Sequence, residues 1–114
     1  MLDSFKNYFQ SKNKLTDEQF LSVSASLQFK TIEKGSVILQ QGDICHYSFF
    51  VSKGLLRSYT IDENGKEHII QFAPENWIIS DRSSFYFNEA SELFIDAIEE
   101  TEIVLIDKNF INAA

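Results

Sequence analysis

The sequence predicts a mainly β domain, a small roll of short strands with helices confined to its N-terminus. Apolar residues recur at helical spacing only before about residue 28, the period changes to two from Phe29 onward, and glycines then separate short apolar runs at intervals of roughly ten residues. With 114 residues, 44% of them hydrophobic and eleven of them Phe, the chain has enough apolar material to bury one core without disulfides or metals.

Phe5, Tyr8 and Phe9 share one side of a short helix expected from about Leu2 to Gln10, which the polar run Ser11 to Lys14 ends. Thr16 with Gln19 then forms a capping box, closed by Leu15 and Phe20 as a hydrophobic staple, ahead of a helix from about Asp17 to Leu27. Phe20, Val23 and Leu27 make its apolar stripe, while Ser22, Ser24 and Ser26 leave the other side polar. Strands are expected at Val37–Gln40, Tyr47–Val51, Leu55–Ile61, Glu67–Phe72, Phe94–Ile98 and Ile103–Ile106. The clearest element is the hairpin around Asp62-Glu63-Asn64-Gly65, where Asn64 and Gly65 are both expected at positive φ. Pro74 closes its second strand, where a missing N–H costs no ladder bond.

Several function classes are disfavoured by composition. Ten basic against seventeen acidic residues give a net charge of −7, which repels phosphate backbones, so this segment is not expected to bind DNA itself. Apolar runs such as Phe49 to Val51 are far shorter than the roughly 20 residues that cross a bilayer, so no membrane partner is expected. Cys45 is the single cysteine, and no positively charged leader is visible, which points to a reducing, cytoplasmic setting. It also cannot hold an iron–sulfur cluster, and the two histidines, His46 and His68, are too few and too far apart for a metal site, so no metal and no cofactor are expected.

Three blocks carry a more specific signal: Lys34-Gly35-Ser36-Val37-Ile38-Leu39-Gln40-Gln41-Gly42-Asp43, then Phe49-Phe50-Val51-Ser52-Lys53-Gly54-Leu55-Leu56-Arg57-Ser58-Tyr59, then Asp62-Glu63-Asn64-Gly65-Lys66-Glu67. Together they resemble the cyclic-nucleotide-binding fold of Crp/Fnr-type transcription regulators over about Thr16 to Phe110. The resemblance implies a double-stranded β-helix, or jelly roll, spanning residues 29–110, with N-terminal helices at 1–28. In such regulators a long pairing helix and a helix-turn-helix domain follow the roll. The run Asp107 to Asn112 resembles the approach to that helix, and residues 111–114 are read as its truncated start, with the DNA-reading domain absent.

The family's nucleotide site is a loop with a short helix between two strands, here about Glu75–Glu92. Members that bind cyclic AMP carry a Gly-Glu pair early in it, for the ribose hydroxyl, and an Arg-Ser or Arg-Thr pair at its end, for the phosphate. Those positions read Ile79-Ser80 and Ser91-Glu92 here, so the ribose acceptor and the phosphate arginine are both missing. Glu92, in a stretch that also holds Asp81, Glu89 and Asp96, would oppose a phosphate. Arg82 is the only cation between Lys66 and Lys108; it either receives an anion or, the preferred reading, pairs with Asp81 or Glu89. Trp77, Phe85, Tyr86 and Phe87 either line a pocket or fill the space of a nucleotide, and Arg57, Tyr59 and Gln71 face either that pocket or solvent.

The candidate site is thus Ile79, Ser80, Asp81, Arg82, Ser91 and Glu92, with no catalytic residue and no enzymatic activity expected. The resemblance implies an effector-sensing domain with a degenerate cyclic-nucleotide site. Its partners would be an unidentified small molecule, a second subunit in the full-length regulator, and DNA only through the absent C-terminal domain. The alternatives are a ligand-free interaction module and a cupin-like metalloenzyme.

Overall fold

A computed structural model describes residues 6–8, 10, 16–18, 21 and 27–108. Eight strands form two antiparallel four-stranded sheets. They are β1 (Gln28–Ile32), β2 (Val37–Leu39), β3 (Ser48–Lys53), β4 (Leu56–Ile61), β5 (Glu67–Ala73), β6 (Ile78–Ile79), β7 (Phe94–Ala97) and β8 (Thr101–Ile106). One sheet runs β1-β8-β3-β6 and the other β2-β7-β4-β5, and a single short helix, α1 (Arg82–Phe87), bridges β6 and β7. The result is the mainly β fold that the glycine spacing predicts, in the jelly-roll-like arrangement that the resemblance implies.

Alternation along the strands builds two apolar layers. Phe49 and Val51 of β3, with Ile103 and Leu105 of β8, face the second sheet and pack with Leu39, Leu56 and Ile95. The intervening Phe50, Val104 and Ile106 point outward, where Tyr8, Leu27 and Ile78 cover them. Burial on both faces is why Phe49-Phe50-Val51 reads as a continuous apolar run. Tyr8 meets Phe50 at 5.2 Å between ring centroids.

Before the roll, Lys6–Tyr8, Gln10, Asp17, Glu18 and Leu21 are helical, in agreement with both expected helices. The two segments are tied together: Gln10 Nε2 donates to Asp17 Oδ1 at 2.9 Å, and Lys6 Nζ lies 3.3 Å from the same oxygen. Those two partners, Gln10 first, hold the Asp17 carboxyl below its usual range. The second helix does not reach Leu27, which is non-helical because β1 begins at the next residue. The capping box partner Gln19 and the staple residues Leu15 and Phe20 lie outside the described residues, as do residues 109–114 with the expected start of a pairing helix.

The hairpin has the expected place but a different turn. Asn64 keeps a negative φ and only Gly65 is left-handed, at φ +82°. The cause is Asp62, whose Oδ1 accepts from the N–H groups of Asn64 and Lys66 at 2.9 and 3.0 Å; this side-chain turn leaves one left-handed position to fill. Further along, β4 and β5 slip register between Ser58 and Tyr59, and the bulge leaves Ile70 without an opposite residue. Gly54 is fixed by a close approach: a Cβ there would lie 2.6 Å from Thr101 Oγ1 and 2.7 Å from the Glu100 carbonyl.

Candidate functional site

The six candidate residues lie along one path, out of β6, through the start of α1, and into the segment before β7. Ile79 is the last residue of β6; it is buried in the core opposite Phe49, which removes it from any ligand surface. Ser80 is half-buried and donates from Oγ to the Tyr47 carbonyl at 3.2 Å, with Cys45 Sγ 3.6 Å away. Cys45 is itself buried and donates to the same carbonyl at 3.1 Å.

Asp81 caps α1. It adopts an extended backbone, and its Oδ1 accepts from the Ser84 N–H at 3.3 Å, as a good N-cap side chain does. Its second oxygen, Oδ2, accepts from Ser91 Oγ at 2.7 Å, while Ser91 Oγ in turn accepts from the Leu93 N–H at 3.0 Å. Ser91 is buried, and its backbone joins the neighbouring loop: the Gly42 N–H donates to the Ser91 carbonyl and the Ser91 N–H to the Asp43 carbonyl. The two ends of the cassette are therefore latched together by one carboxylate and one hydroxyl. A further anchor comes from Ser84, buried within α1, whose Oγ accepts from the Cys45 N–H at 2.7 Å.

Arg82 and Glu92 remain at the surface. The expected ion pair of Arg82 with Asp81 or Glu89 is not formed: none of the ion pairs among the described residues includes Arg82, and Asp81 turns to the Ser84 N–H and to Ser91. On one side of α1 a cleft is lined by Asp81, Glu89 and Glu92, a concentration of negative charge. On the other side a larger cleft of about 420 Å³ is lined by Arg82, Gln71, Ser80 and Tyr86 among others.

The aromatics divide by burial, and within α1 by helix phase. Phe85 turns inward and is fully buried in the core, whereas Trp77, Tyr86 and Phe87 remain 54%, 48% and 73% exposed. Of the hairpin residues, Gln71 reaches the larger cleft and Arg57 does not. Arg57 lies opposite Asp96 in the β4–β7 ladder and grips it bidentately, Nε to Oδ1 at 2.8 Å and a terminal nitrogen to Oδ2 at 3.1 Å. It also meets Glu67 at 3.1 Å and stacks over the Tyr59 ring at 4.3 Å. The bond to Asp96 raises the guanidinium pKa further, and burial raises that of Tyr59. This ion pair escaped sequence reading because its partners lie far apart in the chain and meet only through the ladder. Among the described residues no three His, Cys, Asp or Glu side chains are gathered as metal ligands, and no helix is long and apolar enough to cross a membrane.

The comparisons with known proteins agree with this architecture. The model of the cyclic nucleotide-binding domain matches residues 29–114. The sensor domain of the transcriptional regulator DNR from Pseudomonas aeruginosa superposes with a TM-score of 0.81 at 17% identity, covering 96% of this chain and 75% of that one. The catabolite activator protein of Thermus thermophilus gives 0.73 at 19% identity, covering 87% of this chain but 46% of its own. A putative Crp/Fnr-family transcriptional regulator from Eubacterium rectale gives 0.75 at 24%, covering 91% and 49%. This chain thus spans about half the length of those two regulators. No curated protein matches by sequence. With a family model that matches residues 29–114, the chain belongs to the cyclic nucleotide-binding domain family.

Proposed function

We propose that the chain is the effector-sensing domain of a Crp/Fnr-type transcription regulator whose cyclic-nucleotide cassette has lost its original ligand. The observation that carries this reading is the 2.7 Å bond from Ser91 to Asp81. It joins the two ends of the loop between which a ribose phosphate would sit, and it uses the donors and acceptors that a nucleotide would otherwise need. Glu89 and Glu92 beside it add like charge where a phosphate would arrive. The domain acts by binding, not by chemistry, and its role in a full-length dimer is to bias the orientation of a C-terminal DNA-reading domain, which requires a ligand with different affinities for the two states.

Titration calorimetry with cyclic AMP tests the loss of the old ligand. No saturable binding is expected below about 1 mM, since losing two charge-assisted bonds weakens affinity by roughly a hundredfold or more. The triple variant Ser80→Glu, Ser91→Arg, Glu92→Ser is expected to recover part of it, and micromolar binding by the unmodified chain would refute the reading. A thermal-shift screen of small acids addresses sensing itself, because a ligand at a hundred times its dissociation constant adds about 2.7 kcal/mol. The competing reading, a ligand-free interaction module, draws on the exposed apolar surface of Ile70, Phe72, Trp77 and Phe87. A screen in which nothing stabilises the fold would favour it.

A further inference from the structure

The two clefts flanking α1 differ in charge, and that difference says where an acidic effector goes. The smaller holds three carboxylates, from Asp81, Glu89 and Glu92. The larger, about 420 Å³, lies on the outer side of the β1-β8-β3-β6 sheet; among the described residues lining it Arg82 is the only charged side chain. The chain carries seventeen acidic residues and a net charge of −7, yet no described carboxylate lines this cleft. The guanidinium of Arg82 is in no ion pair among the described residues. Around it, Ile78 and Ile106 supply an apolar floor, Tyr8 and Tyr86 aromatic surface, and Gln71 and Ser80 polar edges. The volume is in the range of small-molecule sites, and a few polar groups on a mainly apolar lining are their usual composition.

We infer that this outer cleft is the effector site, and that it takes a small monocarboxylate with an aromatic body. The carboxylate meets Arg82, and the ring lies over Ile78 and Ile106 against the tyrosines. A single guanidinium matches one carboxylate, and nothing in the lining neutralises the second charge of a dianion. Because Tyr8 belongs to the N-terminal helical segment and Tyr86 to α1, an occupant touches both, so its affinity depends on how that segment is seated on the sheet. The inference rests on the sensing reading above, and it supplies the ligand class and the place.

The test is an NMR titration of the 114-residue chain with 3-phenylpropionate, and in parallel with the neutral 3-phenylpropionamide. Saturable shifts are expected at Tyr8, Ile78, Tyr86 and Ile106 with the acid. Arg82→Gln, at an exposed position, is expected to weaken the acid about tenfold or more and to leave the amide unchanged. Glu92→Gln, in the opposite cleft, is expected to leave both unchanged. No saturable binding of the acid up to about 10 mM, an affinity indifferent to Arg82→Gln, or shifts centred on Asp81, Glu89 and Glu92 would each overturn the inference. Micromolar cyclic AMP binding would refute the degenerate cassette while the Arg82-dependent titration of the acid still decides the cleft, whereas a screen hit that ignores Arg82 would refute the cleft and leave sensing intact.

Discussion

Replacing Ser91 with alanine breaks the latch that closes the cassette, and the structure allows the loss to be worked out. The hydroxyl donates at 2.7 Å to an ionised carboxylate and is 2% exposed, so water cannot take its place without the loop opening. A bond of this kind contributes about 1.5–3 kcal/mol. The Leu93 N–H also loses its acceptor, but Leu93 is only half-buried, so water can reach it and the added cost is a few tenths of a kcal/mol, about 0.5. The expected destabilisation is therefore about 2–3.5 kcal/mol, or roughly 8–14 °C in Tm for a domain of this size. Urea unfolding followed by far-UV circular dichroism measures it, with a midpoint shift of about 1–2 M. Ser80→Ala is the matched comparison: it also removes a serine hydroxyl from the cassette, but one bonded to a neutral carbonyl, and should cost about 1 kcal/mol. If Ser91→Ala costs no more than Ser80→Ala, Asp81 is satisfied by solvent and the closed-cassette reasoning fails.

Other perturbations probe the frame around the site. Gly54→Ala should destabilise by about 2–4 kcal/mol, because φ is +109° and the new Cβ would meet Thr101 and the Glu100 carbonyl; a thermal melt near wild type would show that β8 yields easily. Asp96→Ala leaves the half-buried Arg57 with only its exposed partner Glu67 and should cost about 3 kcal/mol in urea unfolding, whereas Arg57→Met with Asp96→Leu should recover most of it; equal losses would argue against a desolvated pair. At the hairpin tip the His68 hydrogen bond, then the Lys66 and Asn64 N–H groups, hold the Asp62 carboxyl below its usual range. A lowered folded pKa means that this contribution is complete above the unfolded Asp value and fades as pH falls through the folded one. The Asp62 carboxyl carbon should titrate below an ordinary Asp by NMR, and His68→Gln should move its midpoint up; an unmoved midpoint would assign the shift to the backbone donors alone.

How much of this was legible beforehand follows from the range of each interaction. The six strands expected from alternation and glycine spacing all form, because a half-buried strand writes its period directly into the residues that face the core. Two strands were missed for physical reasons: β1 is exposed at four of five positions and carries little apolar pattern, and β6 has only two residues. Asn64 was misjudged since an Asp62 side chain decided the turn where dipeptide preference suggested otherwise.

At the cassette, residue types show acidic residues crowding the loop, while the missing arginine and early carboxylate are what the resemblance to the family implies. Tertiary structure decided everything that depends on which groups meet. Asp81 and Ser91 are ten residues apart and bond only because the loop closes over Asp43. Phe85 enters the core while Tyr86 and Phe87 do not, a choice made by the phase of a six-residue helix. Asp81, the carboxylate next to Arg82 in sequence, caps α1 and meets Ser91, and none of the ion pairs among the described residues includes Arg82. Sequence records the local periodicities and the chemical types; it does not record competition among partners for a carboxylate, since that is settled by distances which only the folded chain sets.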